Sequence, residues 1–198
     1  MAGGTADETQ RPGAPVQRRW PWLANLVTLA RFPLIPVIAY AMLEGHFRVA
    51  TLVLVLSAVT DAADGAIARL LDQRTRFGAI ADPLADKVTM LTVALLLAWL
   101  GRLPAWFAAA IVTRDLVIVA GALAYHLTIR PVEMAPTRLS KFNTVLEFLL
   151  LVGVLAAAGG LVEGGAWIPV LLWITAATIV ASGVQYVVGW TLKAAKDR

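Results

Sequence analysis

The chain has 198 residues, 59% hydrophobic and 15% charged, with a formal net charge of +4. Its mean hydropathy is +0.74, and soluble domains carry about 25% charged residues, so an ordinary soluble protein is excluded. The chain has no cysteine, which excludes a disulfide framework, thiolate metal sites and a cysteine nucleophile.

Residues 1–17, MAGGTADETQRPGAPVQ, are polar with Gly and Pro and read as a disordered tail. A membrane domain follows over residues 18–198. Its apolar runs are Leu23–Leu43, Val49–Leu71, Ala79–Leu100, Pro104–Leu127, Leu139–Ala158 and Ala166–Leu192. Each has about the length a helix needs to cross a bilayer, roughly 20 residues. In lipid the backbone must satisfy its own hydrogen bonds, which favours helices. The runs are continuous rather than alternating, which argues against a β-barrel. A signal peptide over Arg18–Leu43 is set aside: the segment is long, carries Arg31 and has no clear cleavage site. The expected fold class is an all-α integral membrane protein with six transmembrane helices.

Six helices put both termini on one side. On that side fall Arg11, Arg18, Arg19, Arg69, Arg74, Arg76, Arg130, Arg138, Lys141, Lys193, Lys196 and Arg198, against Arg48 and Arg102 on the other. This asymmetry predicts cytoplasmic termini. The basic residues are dispersed over short segments, so no nucleic-acid partner is expected. They suit anionic membrane lipids instead.

The stretch TDAADGAIARLLDQRTRFGAIADPLADK, residues 60–87, concentrates carboxylates in this apolar chain. On helix 2, Asp61, Asp64, Gly65 and Ala68 are spaced i, i+3, i+4, i+7 and share one face, bordered by Arg69. On helix 3, Gly78, Asp82 and Asp86 step by four and form another stripe. The short link predicts antiparallel neighbours, with Pro83 in the first turns of helix 3. Facing the stripes gathers four carboxylates near the cytoplasmic turn, while Asp72 reads as solvated. Each intramembrane aspartate costs about 2.5–3.5 kcal/mol on insertion scales, so a structural role for all four is a weak explanation. From these two helices only Arg69 and Lys87 could offset them. An oxygen-only donor set without His or Cys suits Mg²⁺, Mn²⁺ or Ca²⁺. The small residues leave room for a bulky head group. A phosphorylated lipid substrate fits, and an ion-transport site is the rival.

At these positions the sequence resembles the CDP-alcohol phosphotransferases, whose pattern is D-x2-D-G-x2-A-R-x8-G-x3-D-x3-D. Asp61, Asp64, Gly65, Ala68, Arg69, Gly78, Asp82 and Asp86 match it without a gap. The resemblance implies transfer of a substituted phosphate from a CDP-linked donor to an alcohol, with release of CMP. It implies a divalent cation, Mg²⁺ or Mn²⁺ with Ca²⁺ allowed, at two ions per site. Asp61, Asp64, Asp82 and Asp86 would be its ligands and Asp86 the general base. Gly65, Ala68, Arg69 and Gly78 would form the pocket for the cytidine diphosphate of CDP-diacylglycerol. It further implies a homodimer in a bacterial cell membrane, with the active site between helices 2 and 3 near the cytoplasmic side.

Softer resemblances concern the acceptor. LANLVTLARFPLIP, residues 23–36, resembles the branch that makes phosphatidylglycerophosphate and cardiolipin, through Asn25, Thr28 and Arg31. Ala24 replaces that pattern's proline. These three could reach phosphates. PTRLSKFNTVLEF, residues 136–148, resembles the CMP-forming cardiolipin synthases through Pro136, Thr137, Ser140, Lys141, Asn143 and Thr144, but Glu147 stands where glutamine is usual. Arg138 and Lys141 would meet an anionic acceptor. VTRD, residues 112–115, also resembles that group. Arg114 and Asp115 point about 100° apart, which predicts partners on other helices over a mutual pair. Phosphatidylglycerol is the favoured acceptor, and glycerol 3-phosphate the alternative.

Overall fold

The computed structural model describes residues 21–70, 76–128 and 137–196, with backbone alone at 21–30, 64–70, 76–82, 122, 124–128 and 193–196. The expected tail at 1–17 and Asp72 lie outside the described residues. Among those residues all regular structure is helical: α1 (Pro21–Leu43), α2 (Phe47–Leu70), α3 (Arg76–Trp99), α4 (Ala105–Thr128), α5 (Arg138–Ala158) and α6 (Trp167–Lys196). Each apolar run has become one helix. Two spans, Arg138–Ala158 and Trp167–Leu192, are long and apolar enough to cross a membrane.

Local signals explain the boundaries. Thr137 caps α5, its Oγ1 accepting from the Ser140 N–H at 3.1 Å. The α1–α2 and α3–α4 links turn at Gly45 (φ 75°) and Gly101 (φ 67°), a conformation that glycine adopts without cost to a Cβ. Helix α3 begins at Arg76, and Pro83 lies inside it. The proline removes one backbone donor there.

The contacts run round the bundle in the order α1, α2, α5, α6, α4, α3, and α3 also meets α5 across the middle. Two four-helix compartments result, sharing the α3–α5 edge. This corrects the expectation that α2 and α3 pack directly on one another. Among the described residues they do not; α1 and α5 each contact both. The physical reason is charge. Two acidic faces cannot close without a cation between them, and α1 supplies one.

Every helix changes character along its length. The buried apolar side chains, among them Ile38, Met42, Leu54, Val93, Leu97 and Phe107, lie towards the α1–α2 and α3–α4 links. The buried charged residues Arg31, Arg114 and Glu147 lie on the other side of that core, towards the 71–75 and 129–136 segments. Hydroxyls inside the apolar half are satisfied within their own helix. Thr51 Oγ1 donates to the Phe47 carbonyl at 2.7 Å, and Thr175 Oγ1 to that of Leu171 at 2.7 Å.

The apolar end is closed by a backbone approach between α2 and the end of α5. Arg48 Nε donates to the Gly159 carbonyl at 2.6 Å. A Cβ on Gly159 would lie 2.8 Å from the Arg48 backbone nitrogen. Gly159→Ala is therefore expected to destabilise the bundle by about 1–3 kcal/mol, read as a lower Tm in detergent. An unchanged Tm would contradict this close approach.

Candidate active site

The site begins with Arg31. Its side chain is buried on α1, yet its guanidinium reaches two other helices. One nitrogen, Nη2, pairs with Asp61 Oδ1 on α2; the other, Nη1, donates to Asp86 Oδ1 on α3 at 3.0 Å. Two carboxylates 25 positions apart in the chain thus converge on one group. Asp86 is 54% exposed whereas Arg31 is 7% exposed, so the carboxylate lies nearer the surface than the guanidinium that holds it.

The donor set fits a hard cation in kind. The converging atoms are carboxylate oxygens, and both contact one guanidinium. Among the described residues no group of three His, Cys, Asp or Glu reaches metal spacing. Asp64, Gly65, Ala68 and Arg69 fall on α2, and Gly78 and Asp82 on α3, but their side chains lie outside the described residues. The same holds for Asn25 and Thr28 on α1. The structure therefore brings together Arg31, Asp61 and Asp86 of the expected site residues.

A second charged cluster fills the other compartment. Lys87, next to Asp86, turns away from Asp61 and pairs with Asp115 Oδ1 on α4. Arg114 Nη1 donates to the same oxygen at 3.0 Å, and its Nη2 donates to Ser140 Oγ on α5 at 2.5 Å and to Ser182 Oγ on α6 at 3.2 Å. The expectation of separate partners for Arg114 and Asp115 is met, but the direct mutual pair forms as well. The guanidinium has several donors in a fixed fork, so it can meet Asp115 and the two serines at once. Glu147 is also buried, on α5.

Between α5 and α6 the polar residues form a ladder. Thr137 N–H donates to Tyr186 Oη at 3.3 Å; Ser140 and Ser182 share Arg114; Thr178 Oγ1 donates to Asn143 Oδ1 at 2.7 Å. Asn143 Nδ2 in turn donates to Glu147 Oε2 at 3.4 Å. Asn143 is fully buried and both ends of its amide are engaged. Arg138, Lys141 and Thr144 are exposed on α5, and Thr144 Oγ1 bonds the Ser140 carbonyl at 3.0 Å. Sequence reading missed Thr178, Ser182 and Tyr186. Their signal was the polar spacing Thr175, Thr178, Ser182 on an apolar helix, i, i+3, i+7, matching Ser140, Asn143, Glu147 on its neighbour.

Removing one member of this cluster leaves the others uncompensated. Asp115→Asn is expected to cost roughly 3 kcal/mol, at the low end for a buried pair because Lys87 is partly exposed, measured by unfolding in detergent. The double change Asp115→Asn with Arg114→Met should cost less than the sum of the two single changes. Strict additivity would contradict the pairing.

The chain matches the CDP-alcohol phosphatidyltransferase family over residues 21–187. It is 31% identical over 183 residues to the cardiolipin synthase (CMP-forming) of Rattus norvegicus, covering 84% of this chain and 61% of that protein. It is 40% identical over 108 residues to a putative cardiolipin synthase of Mycobacterium tuberculosis, covering 54% of this chain and 51% of that one. It is 31% identical over 182 residues to the chloroplastic CDP-diacylglycerol–glycerol-3-phosphate 3-phosphatidyltransferase 1 of Oryza sativa, covering 83% and 55%. The chain thus spans between half and three-fifths of the length of these relatives. With the acidic pattern on α2 and α3 unbroken and the family match running from α1 into α6, the chain belongs to the CDP-alcohol phosphatidyltransferase family.

Proposed function

We propose that the chain transfers a phosphatidyl group from CDP-diacylglycerol to an alcohol and releases CMP, within phospholipid biosynthesis. One observation carries the reading: Asp61 and Asp86, first and last of the family pattern, converge from two helices on one guanidinium. The acceptor hydroxyl oxygen would attack the phosphorus that bears diacylglycerol. The bond from that phosphorus to the oxygen of CMP breaks, CMP keeps the electron pair, and Asp86 takes the hydroxyl proton. The exposure of Asp86 supports this role.

The family is in general divalent-metal dependent. When bound, such a cation would polarise the pyrophosphate and offset the charge of the leaving CMP. Asp61, Asp64, Asp82 and Asp86 would hold it, as Mg²⁺ or Mn²⁺, with Ca²⁺ also suited to the donor set and two ions per site. Gly65, Ala68, Arg69 and Gly78 would receive the cytidine diphosphate.

All six helices are taken to span a bacterial cell membrane, with cytoplasmic termini, in a homodimer. Large apolar side chains facing outward on several helices, such as Tyr40, Leu52, Leu56, Leu116 and Trp173, support a lipid-facing surface. The preferred acceptor is phosphatidylglycerol, which would give cardiolipin; the names of the rat and mycobacterial relatives favour it. The name of the rice relative favours glycerol 3-phosphate instead. Family membership gives ion transport no support.

Purified protein with labelled CDP-diacylglycerol, offered phosphatidylglycerol or glycerol 3-phosphate in parallel, decides by product mass. CMP release is expected to require a divalent metal and to be greatest with phosphatidylglycerol. Asp86→Asn is expected to lower CMP release by about 10²- to 10⁴-fold while CDP-lipid binding persists. Normal turnover by that variant would remove Asp86 from the base role.

A further inference from the structure

We infer that Arg31 is the resident counter-ion of the acidic site and competes with the divalent cation for Asp61 and Asp86. The inference rests on the metal-dependent reading above and assigns that site a built-in competitor. The guanidinium takes Oδ1 of each aspartate, and carboxylate oxygens are what a hard cation needs. Among the described residues the neighbouring cations are committed elsewhere: Lys87 to Asp115, and Arg114 to Asp115, Ser140 and Ser182.

Arginine keeps its proton in proteins, so it cannot resolve the competition by deprotonation. It must yield position. Burial strengthens the contest, because a 7% exposed guanidinium is screened little by solvent or salt. A divalent ion bound at Asp61 and Asp86 therefore weakens the hold on Arg31, and the hold of Arg31 weakens metal binding by the same factor, as linkage requires. The two roles open to Arg31 become successive. Before metal binds it neutralises the carboxylates that face one another. Once displaced, it presents a planar fork to anionic phosphate oxygens beside the metal.

The test uses the full chain in detergent with Mn²⁺ alone and no CDP-lipid. Mn²⁺ binding is read by electron paramagnetic resonance. Arg31→Gln is expected to bind Mn²⁺ about tenfold more tightly than the unaltered protein, within the usual range of coupling between ligands of one site. An affinity that is equal or weaker overturns the inference and leaves Arg31 a purely structural bridge or a phosphate contact. A second measurement needs no variant. Phenylglyoxal modification of Arg31, quantified by peptide mass spectrometry, is expected to rise several-fold on saturation with Mn²⁺, as the guanidinium leaves its buried pair; unchanged reactivity also overturns it. An unaltered protein that binds no Mn²⁺ overturns both this inference and the metal-dependent reading. Normal Mn²⁺ binding with no effect of Arg31→Gln overturns this inference alone.

Discussion

A carboxylate held inside a helical bundle needs a cation beside it, and here one guanidinium serves two. Arg31 pairs with Asp61 and with Asp86, which belong to different helices. That bridge sets the arrangement of the first compartment. The acidic faces of α2 and α3 attract a cation more strongly than either can tolerate the other. Helix α1 is therefore drawn against both, and the short link after α2 does not force direct packing of α2 on α3. Chain connectivity proposes neighbours; charge compensation chooses among them.

The adjacent residues Asp86 and Lys87 extend the same constraint to the second compartment. One side chain is tied to α1 and the other to α4. Successive residues on a helix point about 100° apart, so two such ties resist rotation of α3 in either direction. Asp115 passes the constraint to Arg114, which reaches Ser140 on α5 and Ser182 on α6. The Asp86 side chain is thus oriented by contacts in both compartments. Below this polar level the packing is dry, and residues such as Phe107, Leu97 and Leu150 fill it. Charge fixes orientation in one half of the bundle, and dispersion and close packing fix spacing in the other.

What could be read from the sequence follows the same division. The six helices were legible because apolar runs of membrane length admit few other structures. The acidic stripes were legible because spacing along a helix says which residues share a face. Spacing does not say which helix that face will meet. Arg31 could be placed in the right half of its helix, but its two carboxylate partners come from elsewhere in the chain. Lys87 was read as a counter-charge for its own stripe, whereas it turns to α4. The stripe on α6 was overlooked because Ser and Thr can satisfy themselves against their own backbone, as Thr175 does. Thr178 bonds the backbone too, and also crosses to Asn143.

The ladder bears on the acceptor. Asn143 belongs to the segment that resembles cardiolipin synthases, yet its amide is spent on Thr178 and Glu147 deep between helices. A buried amide with both ends engaged has little left to offer a ligand, and freeing it would leave Glu147 with one partner fewer in an apolar setting. The same segment keeps Arg138 and Lys141 exposed. These two differ physically from Asn143: they are cations on long side chains, free to meet a phosphate without unpacking a helix contact. The segment's buried positions Ser140 and Asn143 hold α5 against Arg114 and α6, and Asn143 also bonds Glu147. Glutamate at 147 in place of the usual glutamine fits this account, because its Oε2 accepts from Asn143 Nδ2 within the same ladder.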